Sequence, residues 1–139
     1  MNRISNWFFR LAVVYLIAGV LLGIVMAASQ DHSMFPVHAH LNLLGWVTMG
    51  LFATFYRLWP EAAASRLAKL HFWVYAPAHF VQMVALFAFY RGATAIEPLL
   101  GAVSVLVGLA IVLFAYIVWR YTAATEGKPA SAIGGLAAH

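Results

Sequence analysis

His38 and His40 stand two residues apart in "FPVHAHLNLLGW", residues 35–46, inside an otherwise apolar stretch. Imidazole is a metal ligand and a proton carrier near neutral pH, so its presence there asks for a chemical reason. On a helix, two residues correspond to about 200° of rotation, which points the two rings to opposite faces. One ion is chelated from a helix by an i, i+4 pair, not by this spacing. A His-x-His pair instead serves one site on each flank, and haem suits that need: a large planar macrocycle lies beside the helix and takes one axial imidazole.

The surrounding residues sharpen the choice. Following Pro36 at the start of a helix, His38 and His40 lie roughly 3–6 Å below its outer end. At that depth His38 reads either as a hydrated interfacial residue or as a ligand, because the cost of a polar group falls toward the interface. His40 reads as the stronger site residue, with Asn42 to orient the site by hydrogen bonding and Gly45 to open a face to close approach. His79 falls near mid-bilayer, beside Pro77 and one turn before Gln82. Either it ligates, as an intramembrane ionisable group does by default, or it is a neutral imidazole bonded to a carbonyl freed by Pro77. His71, near the inner end of the same stretch, reads as interfacial. His32 and Met34, in an outer loop, form with His38 a soft-ligand set for copper(I). No Gly-rich phosphate loop, nucleophile elbow or cysteine is present, and the four acidic residues all fall in loops, which argues against a relay of buried carboxylates.

Those histidines need membrane helices to hold them. The chain has 139 residues, 65% apolar and 9% charged, with a mean hydropathy of +0.89. Soluble domains are roughly half apolar and a quarter charged. Four apolar stretches, about 7–28, 36–59, 67–90 and 98–119, each reach the ~20 residues that cross a hydrocarbon core. They predict an all-α, integral membrane four-helix bundle forming one domain over residues 1–121, with residues 122–139 a flexible cytoplasmic tail. Arg3 and Arg10 flank the first stretch, Arg57, Arg66 and Lys69 lie around the second loop, and Arg120 and Lys128 follow the fourth. The other two loops carry Asp31, Glu97 and only Arg91. By the positive-inside rule both termini are cytoplasmic, N-in and C-in. The net charge of +4 thus reports orientation, and no nucleic-acid partner is expected. "VMAASQ" resembles a cleavage site, but the apolar run before it is too long for a signal peptide, so a retained helix is expected. "GVLLG", residues 19–23, and Gly101, Ser104 and Gly108 have the small-residue spacing of close helix contacts, and are expected to pair the first helix with the fourth.

Two motifs go further. "HLNLL", residues 40–44, and "YRLWPE", residues 56–61, with "FWVYA" at 72–76 after them, resemble the haem–copper oxidase superfamily, specifically the catalytic subunit of nitric oxide reductases and C-type oxidases. In that family the second transmembrane helix carries a low-spin haem ligand in a His-x-Asn-Leu-Leu run, followed by a Tyr-x-Leu-x-Pro-Glu stretch. The resemblance implies that His40 is an axial ligand of haem b. "HAH" is also similar to the family's His-x-His pair, which implies a second haem site or a vacant position facing His38. The family's copper-site histidines have no counterpart here. Its large subunit is built as three four-helix arcs, so a four-helix relative implies a homo-oligomer, a trimer by analogy. The expected function is a haem b-binding, cytochrome-like protein of the bacterial cytoplasmic (inner) membrane. It would transfer electrons or handle nitric oxide or oxygen, drawing on a donor protein or quinol; as an enzyme it would be an oxidoreductase. The competing readings are a haem or copper sensor, carrier or assembly factor, and a structural subunit without cofactor.

Overall fold

The computed structural model describes residues 3–126, and these are helical apart from short connections. Helix α1 spans Arg3–Ser29. It stops where Gln30 takes a left-handed φ of 56° and Ser29 Oγ donates to the Val25 carbonyl at 2.8 Å. In the following loop the Asp31 carboxylate accepts the Ser33 N–H at 2.9 Å, a bond that holds its pKa below the ordinary value. Met34 and Pro36 start the next helical run, with Pro36 in the first turn, where a missing N–H costs nothing.

That run has three parts: α2 over Phe35–His40, a π-helical segment over Leu41–Thr48, and α3 over Met49–Leu58. The wider winding is supported locally by Thr48 Oγ1, which donates to the Leu43 carbonyl five residues back at 2.8 Å. Pro60 opens the short α4, Pro60–Ala64. Ser65 then caps α5, Arg66–Tyr90, its Oγ accepting the Ala68 N–H at 3.1 Å. Helix α5 continues through Pro77. Gly92, at φ 100°, turns the chain into a 3₁₀ turn, Thr94–Ile96, and α6, Glu97–Glu126. Helix α6 carries helical structure past residue 121, where a tail was expected; residues 127–139 of that expected tail lie outside the described residues.

Among the described residues three uninterrupted helices, α1, α5 and α6, are long and apolar enough to cross a membrane. The α2–π–α3 run is divided by its change of winding. Helix α1 packs along the π segment and α3, and α5 packs along α6. The two pairs meet in an aromatic core, where Phe8 of α1, Phe52 and Tyr56 of α3, His71, Phe72 and Tyr75 of α5, and Phe114 of α6 interlock with ring centroids 4.4–6.5 Å apart. Large apolar side chains such as Val14, Ile24, Leu51, Trp73, Val112 and Trp119 face outward, while Ser5, His71, His79 and Gln82 are buried. Apolar outside and polar inside is the distribution lipid favours and water does not.

The glycines on α1 pack differently from expectation. A Cβ on Gly19 would stand 2.5 Å from the Asn42 amide, and one on Gly23 would stand 2.9 Å from His38 Cε1. The partner of "GVLLG" is therefore the α2–π run. Gly101 and Gly108 on α6 meet nothing within 4 Å among the described residues. Small residues permit close approach without specifying the partner, and here bulky polar side chains from α2 and the π segment occupy the space.

Candidate functional site

His40 lies at the last position of α2, half-buried, with Nδ1 2.8 Å from the Pro36 carbonyl one turn back. A carbonyl only accepts, so Nδ1 carries the proton and Nε2 keeps its lone pair. Nε2 has no hydrogen-bond partner among the described residues. This is how metal-ligating imidazoles are commonly held, with one nitrogen oriented by a carbonyl and the other presented.

His38 turns toward α1. Its Nδ1 donates to the Gly19 carbonyl at 2.9 Å and the ring lies over Gly23, so it joins two helices. Asn42 does the same, its amide donating to the His38 carbonyl at 2.9 Å while its side chain covers Gly19. These contacts make Asn42 a clamp between helices. Gly45 does open a face, but Tyr15 fills it: a Cβ there would stand 2.5 Å from Tyr15 Cγ.

His79 is fully buried. Its surroundings fix its tautomer. Ser104 Oγ donates to the Leu100 carbonyl at 2.7 Å, so it must accept from Gln82 Nε2, 3.0 Å away. The Gln82 amide oxygen therefore faces His79 Nδ1, at 3.0 Å, and Nδ1 is the protonated nitrogen. The partner is a side-chain amide one turn on, not the backbone carbonyl freed by Pro77 that the sequence suggests for a neutral imidazole. His79 Nε2 is buried and unpaired among the described residues. A buried polar atom left unsatisfied costs roughly 1–3 kcal/mol.

His71 departs furthest from expectation. It is fully buried, hydrogen-bonded through Nδ1 to the Tyr56 hydroxyl at 3.0 Å and enclosed by Phe8, Phe52, Tyr75 and Phe114. Its Nε2 is also buried and unpaired among the described residues. The available signal was the i, i+4, i+8 spacing of His71, Tyr75 and His79, which sets all three on one face of α5. Tyr75 sits between the two imidazoles, 5.8 Å from each, and donates its hydroxyl to the Leu44 carbonyl of the π segment at 3.0 Å.

The copper set is less assembled. His32 is exposed, with Nδ1 3.3 Å from the Gln30 carbonyl, while Met34 is buried at the foot of α2. Among the described residues no group of three or more His, Asp or Glu side chains converges as a metal cage. Comparison with family models, with curated proteins and with solved structures returns no match.

Proposed function

We propose that this chain is a four-span integral membrane protein that binds haem b through His40 and acts as a cytochrome-like module in a bacterial cytoplasmic membrane. The observation that carries this reading is the state of His40: a half-buried imidazole, its Nδ1–H committed to the Pro36 carbonyl, its Nε2 without a hydrogen-bond partner among the described residues. The residues fit the group, because an axial haem site asks of the protein one or two such nitrogens and an apolar surround. A cage of several converging side chains is not needed.

The four-span topology, N-in and C-in, adds Phe35–Leu58, second in chain order, to the three uninterrupted helices as a crossing. That run exceeds the ~20 residues a span requires, whatever its winding. When bound, haem supplies an iron that transfers an electron if six-coordinate, or holds nitric oxide or oxygen if one axial position is open. The chain's own part is to present Nε2 of His40, to fix its ring through Pro36, and to keep apolar surface around it. His79 is the next candidate ligand on the chain, with its tautomer set by Gln82. His38, tied to Gly19, serves chiefly to dock α2 on α1.

The resemblance of "HLNLL" and "YRLWPE" to haem–copper oxidase subunits supports His40, and by the same analogy a homotrimer that receives electrons from a protein or quinol. Turnover, if the protein has it, would be nitric oxide reductase- or oxidase-like. The test is a visible spectrum of the purified protein, oxidised and dithionite-reduced, with metal analysis. The proposal requires an intense Soret band and haem iron. A colourless protein holding copper would instead support a copper carrier or assembly factor using His32, Met34 and His38.

A further inference from the structure

Between α1 and α5 runs an open groove of about 1130 Å³. Helix α1 contributes a continuous wall from Arg3 to Ala18, and α5 one from Lys69 to Met83. In the four-span topology these two helices run in the same direction, so Arg3 and Lys69 share one end, the end the charge pattern places in the cytoplasm. Below those two cations the lining is apolar and aromatic, including Trp7 and Trp73, which are half or more exposed. Each wall covers roughly 20 Å at 1.5 Å per residue. That is about the depth of one leaflet with its headgroup region, half of the roughly 40–45 Å bilayer.

We infer that this groove seats one anionic phospholipid, its phosphate held by Arg3 and Lys69 and an acyl chain laid between Trp7 and Trp73. This rests on the membrane reading of the chain and is independent of haem. Charge selects the occupant. Arg57 and Arg66 are also exposed toward that end, and Glu61 on α4 is an exposed acid there. A second copy in the same orientation would bring the same cationic end against this one, whereas an anionic headgroup neutralises it. A zwitterionic lipid fits the walls but gains little from the two cations, each of which favours an anionic surface by about fivefold in affinity.

The test uses the full-length protein in nanodiscs with lipids brominated along the acyl chain, which quench tryptophan on contact. Phosphatidylglycerol is compared with phosphatidylcholine of identical chains. Trp73→Phe isolates the groove signal by difference, and Trp119, on the exposed face of α6, reports general lipid contact. The Trp73 component should be quenched at a several-fold lower mole fraction of brominated phosphatidylglycerol than of phosphatidylcholine. Arg3→Gln with Lys69→Gln should abolish that preference while leaving Trp119 quenching unchanged. Equal quenching of Trp73 by the two lipids would overturn the inference. So would a Trp73 shielded from both while Trp119 is quenched, which would place a second copy in the groove. If neither tryptophan is quenched, the membrane reading itself fails, and the lipid site with it.

Discussion

The imidazole of His38 rests on Gly23, with Cε1 2.9 Å from where a β-carbon would stand, while its Nδ1 donates to the Gly19 carbonyl one turn earlier. One histidine thus uses both glycines of "GVLLG", one as space and one as an acceptor.

A glycine series on this interface should separate contact from open surface. Gly45→Ala meets the root of Tyr15, at Cβ and Cγ, which cannot swing away without moving α1. It should cost about 1–3 kcal/mol, the range for overpacking. Gly23→Ala meets the far end of His38 and should cost less, while Gly23→Leu should disrupt the α1–α2 contact. Gly108→Ala meets nothing among the described residues and should stabilise by about 0.5–1 kcal/mol through helix propensity. Unfolding in detergent, followed by circular dichroism, ranks the four. Equal stability of Gly45→Ala and Gly108→Ala would contradict the packing described.

The His79–Gln82–Ser104 chain should behave as one unit. Gln82→Leu removes the acceptor of His79 Nδ1–H and the donor to Ser104, and Ser104→Ala strands the Gln82 amide. Each should lower stability by about 1–3 kcal/mol. The double variant should cost less than the sum, because Ser104 has little left to support once Gln82 is gone. Strict additivity in thermal melts would mean that the two bonds are independent.

His71 should be replaceable by an aromatic ring. It occupies a cage of Phe8, Phe52, Tyr75 and Phe114, and its buried Nε2 is unpaired among the described residues. His71→Phe removes that orphan and keeps the ring contacts but gives up the Nδ1 bond to the Tyr56 hydroxyl, so the two effects offset and stability should stay within about 1 kcal/mol of the parent. Haem content should not change. Loss of haem in a well-folded His71→Phe protein would move the ligand set inward along α5.

Much of this architecture was legible in the residues. The apolar stretches at 7–28, 67–90 and 98–119 correspond to Arg3–Ser29, Arg66–Tyr90 and Glu97–Glu126, because hydropathy over ~20 residues is a local property. The ends ran further than expected, since polar residues such as Asn6 and Thr122 continue a helix already nucleated. The π winding at Leu41–Thr48 was not legible. It coincides with Tyr15 pressed onto Gly45 and Tyr75 bonded to the Leu44 carbonyl, contacts from two other helices. His71 was misplaced for a similar reason: its depth in the chain indicated an interface, but its burial comes from α1, α3 and α6. The chemistry around His40 depends on Pro36, four residues back, and that much lies within the local sequence.

Topology is open to a direct check. Reporter fusions after Gln30 and after Gly92 should behave as exported, and a fusion after Glu61 as cytoplasmic. A cytoplasmic signal after Gln30 would invert the arrangement and put His40 near the inner surface.

The most direct test of the central claim is haem stoichiometry and the reduced-minus-oxidised spectrum of His40→Ala beside His38→Ala. The His40 side-chain bond stays within its own helix, so the variant should keep its helicity and melting behaviour. His38→Ala should lose stability, because it gives up the bond to Gly19, yet retain haem. The account requires that folded His40→Ala lose haem or change from a six- to a five-coordinate spectrum. A folded His40→Ala protein with full haem and an unaltered spectrum would contradict it.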